Sequence, residues 1–112
     1  MKLVTAIVQP EMLEEVQRAL VRYGISGMTI TEVSGYGRQR GHSEVYRGAE
    51  FTIDFILKIR IEVLVEDGDA ESVTQIIVNA ARTGQVGDGK VWVVPVEGVV
   101  RVRTGESGAA AL

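Results

Sequence analysis

Cysteine is absent from these 112 residues, so neither a disulfide framework nor a thiolate metal site is available. There is a single histidine, His42, and a lone histidine on a polar loop is more often solvated than a ligand; without clustered partners it cannot make a metal site. Positive charge is not in excess either. Twelve Lys and Arg against 15 Asp and Glu leave a net charge of −3, whereas a duplex-binding footprint normally needs a basic stripe, which argues against a direct nucleic-acid partner. No apolar run approaches the ~18 residues of a membrane span, and no charged-then-apolar leader opens the chain. The expected compartment is cytoplasmic.

What the chain does have is 46% hydrophobic and only 24% charged residues, the balance of a globular protein, at a length close to the commonest for a single domain. Leu3 to Val8 is a short, nearly continuous apolar run that reads as a buried strand. Pro10 fits a helix start, Leu13, Val16, Leu20 and Tyr23 recur at helical spacing, and Gly24 is placed to cap the helix. A strand is predicted over Met28 to Tyr36, and another over Lys58 to Val65, where Ile59, Ile61, Val63 and Val65 alternate. Asp67-Gly68-Asp69 predicts a turn and helix N-cap. The second helix follows on Ala70, Val73, Ile77 and Ala80, then strands at Val91 to Val96 and Val99 to Arg103. The tail at 105–112 is rich in small residues and reads as flexible.

The resulting order, βαβ-loop-βαβ, predicts an α+β, ferredoxin-like βαββαβ fold, one antiparallel sheet with helices on one face. Several strands are nonetheless apolar on both faces, Val91 to Val94 without a polar break. A sheet face open to water should alternate, so copies of the same chain are expected to cover it.

Four segments carry candidate chemistry. Residues 38–57 form a long stretch without periodicity, in which Arg38, Arg40, His42, Glu44, Arg47, Glu50 and Asp54 alternate in sign around Tyr46 and Phe51. Loops of this length in compact domains are usually functional, and this one suits a mobile recognition hairpin, the alternative being an inert extension. Thr83 to Lys90, TGQVGDGK, satisfies G-x-x-x-x-G-K, yet Val91 stands where a P-loop needs Ser or Thr, and the segment leaves a helix instead of opening one. It is not a P-loop. Its glycines still allow backbone N–H groups to approach phosphate and Lys90 adds charge, against the alternative of a plain glycine turn. Arg101 and Arg103, two apart in an extended segment, would point to one side and grip a polyphosphate, or else form a solvated basic edge. Gly35 to Gln39 at the loop entrance would lie beside Lys58 at its exit if the two strands pair, offering an amide oxygen and an ammonium for a metal ion and a carboxylate.

The strings GMT at Gly27 to Thr29, GYGRQRGHSEVYRGAE at Gly35 to Glu50, KIRIEV at Lys58 to Val63, AARTGQVGDGKVWV at Ala80 to Val93 and VRVRTGE at Val100 to Glu106 together resemble the PII nitrogen-regulatory signal proteins over essentially the whole chain. The resemblance implies a homotrimer that binds ATP or ADP in clefts between subunits, and 2-oxoglutarate through a nucleotide-bound magnesium ion. It further implies a non-enzymatic sensor acting on nitrogen-assimilation enzymes, regulators or an ammonium transporter, and reaching a membrane only through such a partner. By position, Gly37, Arg38, Gly87, Asp88, Gly89 and Lys90 would contact nucleotide from one subunit, and Thr29, Arg101 and Arg103 from the neighbour. Gln39 would help hold nucleotide and magnesium, Gln39 and Lys58 would bind 2-oxoglutarate, and Tyr46 and Arg47 belong to the partner-binding loop, Arg47 where the family has a channel-plugging arginine.

Four departures matter. The family's nucleotidylated tyrosine falls at Phe51 and its phosphoserine at Ala49, so no modification is expected at either. Residue 9, often basic in the family, is Gln9, and Leu57 replaces a usual proline. Two alternatives remain: a small nucleotide-binding enzyme of ferredoxin-like fold, which would need a nucleophile or base in the cleft, and a structural or metal-handling trimer, disfavoured by the lack of cysteine.

Overall fold

A computed structural model describes residues 1–36 and 55–112, together with the backbone of 43–46 and 49–52. Strand β1 (Lys2–Val8) leads through a 3-10 turn at Pro10–Met12 into helix α1 (Leu13–Tyr23). Strand β2 (Thr29–Gly35) follows, then a two-stranded hairpin of β3 (Ser43–Tyr46) and β4 (Ala49–Thr52), then the long β5 (Ile56–Val65). A 3-10 turn at Asp67–Asp69 precedes helix α2 (Ala70–Ala81), and β6 (Gly89–Pro95) completes the main sheet. Its order is β2-β5-β1-β6, with every pair antiparallel. This is the expected ferredoxin-like arrangement, and the long loop leaves it between β2 and β5.

Boundaries differ from the sequence reading where pairing outruns periodicity. β5 starts two residues before Lys58 because its ladder with β2 continues to Gly35↔Ile56. β6 starts at Gly89, held by Val8↔Gly89, although Gly and Lys carry no strand signal. The Asp69 side chain does not cap α2; its carboxylate instead accepts the Tyr23 hydroxyl at 2.8 Å, tying the end of α1 to the start of α2. Gly24 ends α1 as predicted, at φ 115°, with the Ile25 N–H bonded to Leu20 O. That left-handed turn is cheap only for glycine.

Strand alternation then decides what is buried. Val4, Ala6 and Val8 of β1 and Ile59, Ile61, Val63 and Val65 of β5 face Val16 and Leu20 of α1 and Val73, Ile77 and Ala81 of α2, forming the core. The opposite sheet face is formed by Leu3, Thr5 and Ile7 with their register partners Leu64, Glu62, Arg60, Trp92 and Val94. There Trp92, Leu64 and Val94 stay 44%, 41% and 40% exposed in the single chain, so part of the two-sided apolar character read from the sequence is a surface. No helix among the described residues is long and apolar enough to cross a membrane.

Candidate functional site

The glycine loop between α2 and β6 is folded around one carboxylate. Asp88 accepts the backbone N–H groups of Thr83 at 2.8 Å and Gly84 at 2.9 Å, together with the Thr83 hydroxyl. The Thr83 hydroxyl holds the Asp88 carboxyl below its ordinary pKa of 3.8, with the backbone N–H groups adding to it. Gly84, Gly87 and Gly89 all have positive φ, at 88°, 103° and 104°. Gly89 is the strictest of them: a Cβ there would lie 1.7 Å from the Ile7 carbonyl oxygen. Its absence lets β6 run against β1, a reason separate from the close phosphate approach expected of it.

Lys58 connects this loop to the sheet. It follows the β2–β5 pairing to stand opposite Val33, and it is buried, at 7% exposure. Its ammonium donates to Gly87 O at 2.6 Å and to Gln9 Oε1 at 3.0 Å. Burial lowers its pKa from 10.5, while Glu11 and Asp88 act in the opposite sense. Gln9 and Gly87 are uncharged acceptors, and a charge-assisted bond to a carboxylate is stronger than a bond to either. A cavity of about 250 Å³ opens beside the loop, lined by Ile7, Ala81, Arg82, Asp88, Gly89 and Lys90. A larger one, about 530 Å³, lies on the outer side of α1 and α2 between Arg18, Arg22, Tyr23 and Ile76, and holds none of the sequence-predicted site residues.

Arg101 and Arg103 are arranged differently from the expected extended pair. Residues 102–104 turn, Gly105 at φ 74° donates its N–H to Arg101 O at 2.8 Å, and Val100 bridges Ser107. The two arginines therefore do not share a strand face; Arg101 is half-buried and Arg103 exposed. The tail read as flexible carries a short turn at Gly108–Ala111 and accepts a hydrogen bond from Arg101. No hydrogen bond or ion pair among the described residues joins Arg101 or Arg103 to the glycine loop. Thr29, opposite Glu62, sits four positions along β5 from Lys58, roughly 13 Å away at strand spacing. Gly37, Arg38, Gln39, His42 and Arg47 lie outside the described residues, and Tyr46, Ala49 and Phe51 are described by their backbone alone.

One chain thus brings together Lys58, Gly87, Asp88, Gly89 and Lys90 around a glycine loop, on a ferredoxin-like sheet. The family model for nitrogen regulatory protein P-II matches residues 1–106. The chain belongs to the P-II family. The P-II protein of Azospirillum brasilense is 53% identical over 112 residues, all of both chains. The Escherichia coli nitrogen regulatory protein GlnK is 50% identical, again over the full length of both. Among solved structures, Arabidopsis thaliana PII bound to citrate superposes with a TM-score of 0.82 at 39% identity, over 99% of this chain and 91% of that one. As a P-II protein the chain is a nitrogen-regulatory signal transducer and not an enzyme, which removes the nucleotide-enzyme alternative.

Two contacts escaped the sequence reading. Thr83 organises the loop, and its hydroxyl type at the mouth of a glycine segment was the available signal. The Gln9–Lys58 bond joins residues 49 apart; the resemblance implies that both lie near the 2-oxoglutarate site, but nothing local in the sequence pairs them.

Proposed function

We propose that this P-II protein senses ATP or ADP together with 2-oxoglutarate, and reports the result to a nitrogen-assimilation partner, such as an ammonium transporter, through residues 38–57. The observation that carries the reading is the buried Lys58 ammonium bonded to Gly87 of the glycine loop, three residues before Lys90 in the chain. That arrangement sets a carboxylate-binding charge against a phosphate-binding loop. Gly37, Arg38, Gly87, Asp88, Gly89 and Lys90 hold nucleotide from one subunit; Thr29, Arg101 and Arg103 reach it from a neighbour in a homotrimer. That no bond among the described residues joins the arginines to their own chain's glycine loop suits that division.

The donor set fits a polyphosphate: glycine backbone at positive φ, one lysine and two arginines. Among the described residues no group of three or more His, Cys, Asp or Glu is assembled for a metal. Magnesium would be held by the nucleotide phosphates, with the Gln39 amide oxygen as a protein ligand. Bound there, it offers one carboxylate of 2-oxoglutarate a cationic partner, while Lys58 takes the other. Citrate, the ligand of the Arabidopsis relative, is likewise a polycarboxylate. We place the whole chain in one domain, in the cytoplasm, meeting a membrane only through a partner.

The test is a calorimetric titration with ATP, ADP and 2-oxoglutarate, with and without magnesium. ATP and ADP should compete for one site per chain, and 2-oxoglutarate should bind only with ATP and magnesium. Tight 2-oxoglutarate binding to the nucleotide-free protein would refute that order.

A further inference from the structure

Residues 99–108 fold into a tight hairpin in which Gly108 N–H donates to Val99 O at 3.1 Å and Arg101 N–H to Glu106 O at 2.8 Å. The Arg101 side chain is drawn into the same turn. Its Nη1 lies 3.2 Å from Glu106 Oε1, and its Nη2 donates to the Leu112 backbone oxygen at 3.0 Å. Glu106 is itself fixed. The Thr104 hydroxyl donates to the same Oε1 at 2.8 Å and accepts the Glu106 N–H at 3.2 Å. Both terminal nitrogens of the guanidinium, the pair that forms a fork on phosphate, thus face oxygens of the protein, one of them anionic.

We propose that Glu106 and Leu112 form a clasp that competes with nucleotide phosphate for Arg101. The inference rests on the reading of Arg101 as a phosphate contact. A carboxylate this close neutralises the arginine and repels an incoming anion, so phosphate engages Arg101 only by displacing the clasp. Arg103 is exposed and lies outside it. Phosphate therefore meets Arg103 first and recruits Arg101 second, and nucleotide affinity is set partly by a segment that never touches the ligand.

Two substitutions and a deletion, each read by calorimetric titration of the full trimer with ATP and magnesium, separate the possibilities. Glu106→Gln keeps the oxygen that Thr104 uses and removes only the charge. Deleting 109–112 removes the Leu112 oxygen but retains Val100–Ser107 and Gly108–Val99. At least one of these should bind ATP about two- to fivefold more tightly, the range of an exposed ion pair. Arg101→Ala should bind it at least tenfold more weakly. If neither clasp variant tightens binding while Arg101→Ala weakens it, the clasp is wrong and the phosphate contact stands. If Arg101→Ala leaves affinity unchanged, the phosphate contact itself is wrong and the clasp falls with it.

Discussion

The Lys58 ammonium donates to the Gln9 side-chain oxygen at 3.0 Å, joining the middle of the sheet to the link between β1 and the first helix. Gln9 thereby gives a neutral acceptor to a buried cation at a position where a basic residue would face it with like charge. Gln9→Lys should lower the stability of the ligand-free protein through that repulsion. It should also tighten 2-oxoglutarate binding by about tenfold, since one added charge-assisted contact contributes about 1.5 kcal/mol or more. Unchanged effector affinity would place residue 9 outside the effector site.

Lys58 also predicts a pH dependence. Its folded pKa lies below the ordinary 10.5, chiefly through burial. Between those two values the folded chain binds fewer protons than the unfolded one, so this group adds stability as pH rises through that window; below it the full cost of the buried charge is present. Effector binding should run the other way, because a carboxylate needs the ammonium. Affinity for 2-oxoglutarate should fall at a pH below 10.5. Lys58→Arg, charged throughout, should give a flat profile; parallel profiles would show that another group titrates.

Gly89→Ala should cost at least about 2 kcal/mol and abolish nucleotide binding, since the new methyl would meet Ile7 O and the backbone would be held at positive φ. Gly84→Ala meets no atom within 4 Å and bears only the backbone strain, about 1 kcal/mol. Urea denaturation measures both. Equal costs would show that the β1–β6 approach does not depend on Gly89.

The exposed Trp92, Leu64 and Val94 predict self-association. Light scattering at micromolar concentration should give the mass of three 12.1 kDa chains. A monomer mass would leave that face without its expected cover, and would remove the neighbour proposed to supply Thr29, Arg101 and Arg103.

Phe51 has no phenolic oxygen, and Ala49 no hydroxyl, so the loop is expected to be switched by ligands alone. Tyr46 keeps a phenol but lies five residues away, in a different register for a modifying enzyme. Intact mass spectrometry of protein from nitrogen-starved cells should show no nucleotidyl adduct, and partner capture should differ between ATP with 2-oxoglutarate and ADP, because only differential binding shifts a population. An adduct, or partner capture indifferent to ligand, would sink this account.

Periodicity and motifs were enough for the two helices, the four strands of the main sheet, the fold class and the family, but not for residues 99–103, read as a strand and folded as a hairpin turn. Helical and strand periods are local properties, and Gly24, Ile59 to Val65 and TGQVGDGK announce their roles within a few residues. The family resemblance implies nucleotide contacts for Gly87, Asp88, Gly89 and Lys90 and an effector contact for Lys58, and the Lys58–Gly87 bond joins the two segments. What pairing and packing decided lay beyond any local window. Strand β6 begins at Gly89 because β1 is there to receive it, and Asp69 gives up its capping role because Tyr23 reaches it from the other helix. Arg101 turns away from Arg103 because Gly105, Thr104 and Glu106 close a hairpin around it, where strand alternation alone would have aligned the two. Hydrogen bonds between residues far apart in the chain are fixed only when the sheet closes, and the Gln9–Lys58 contact is one of them.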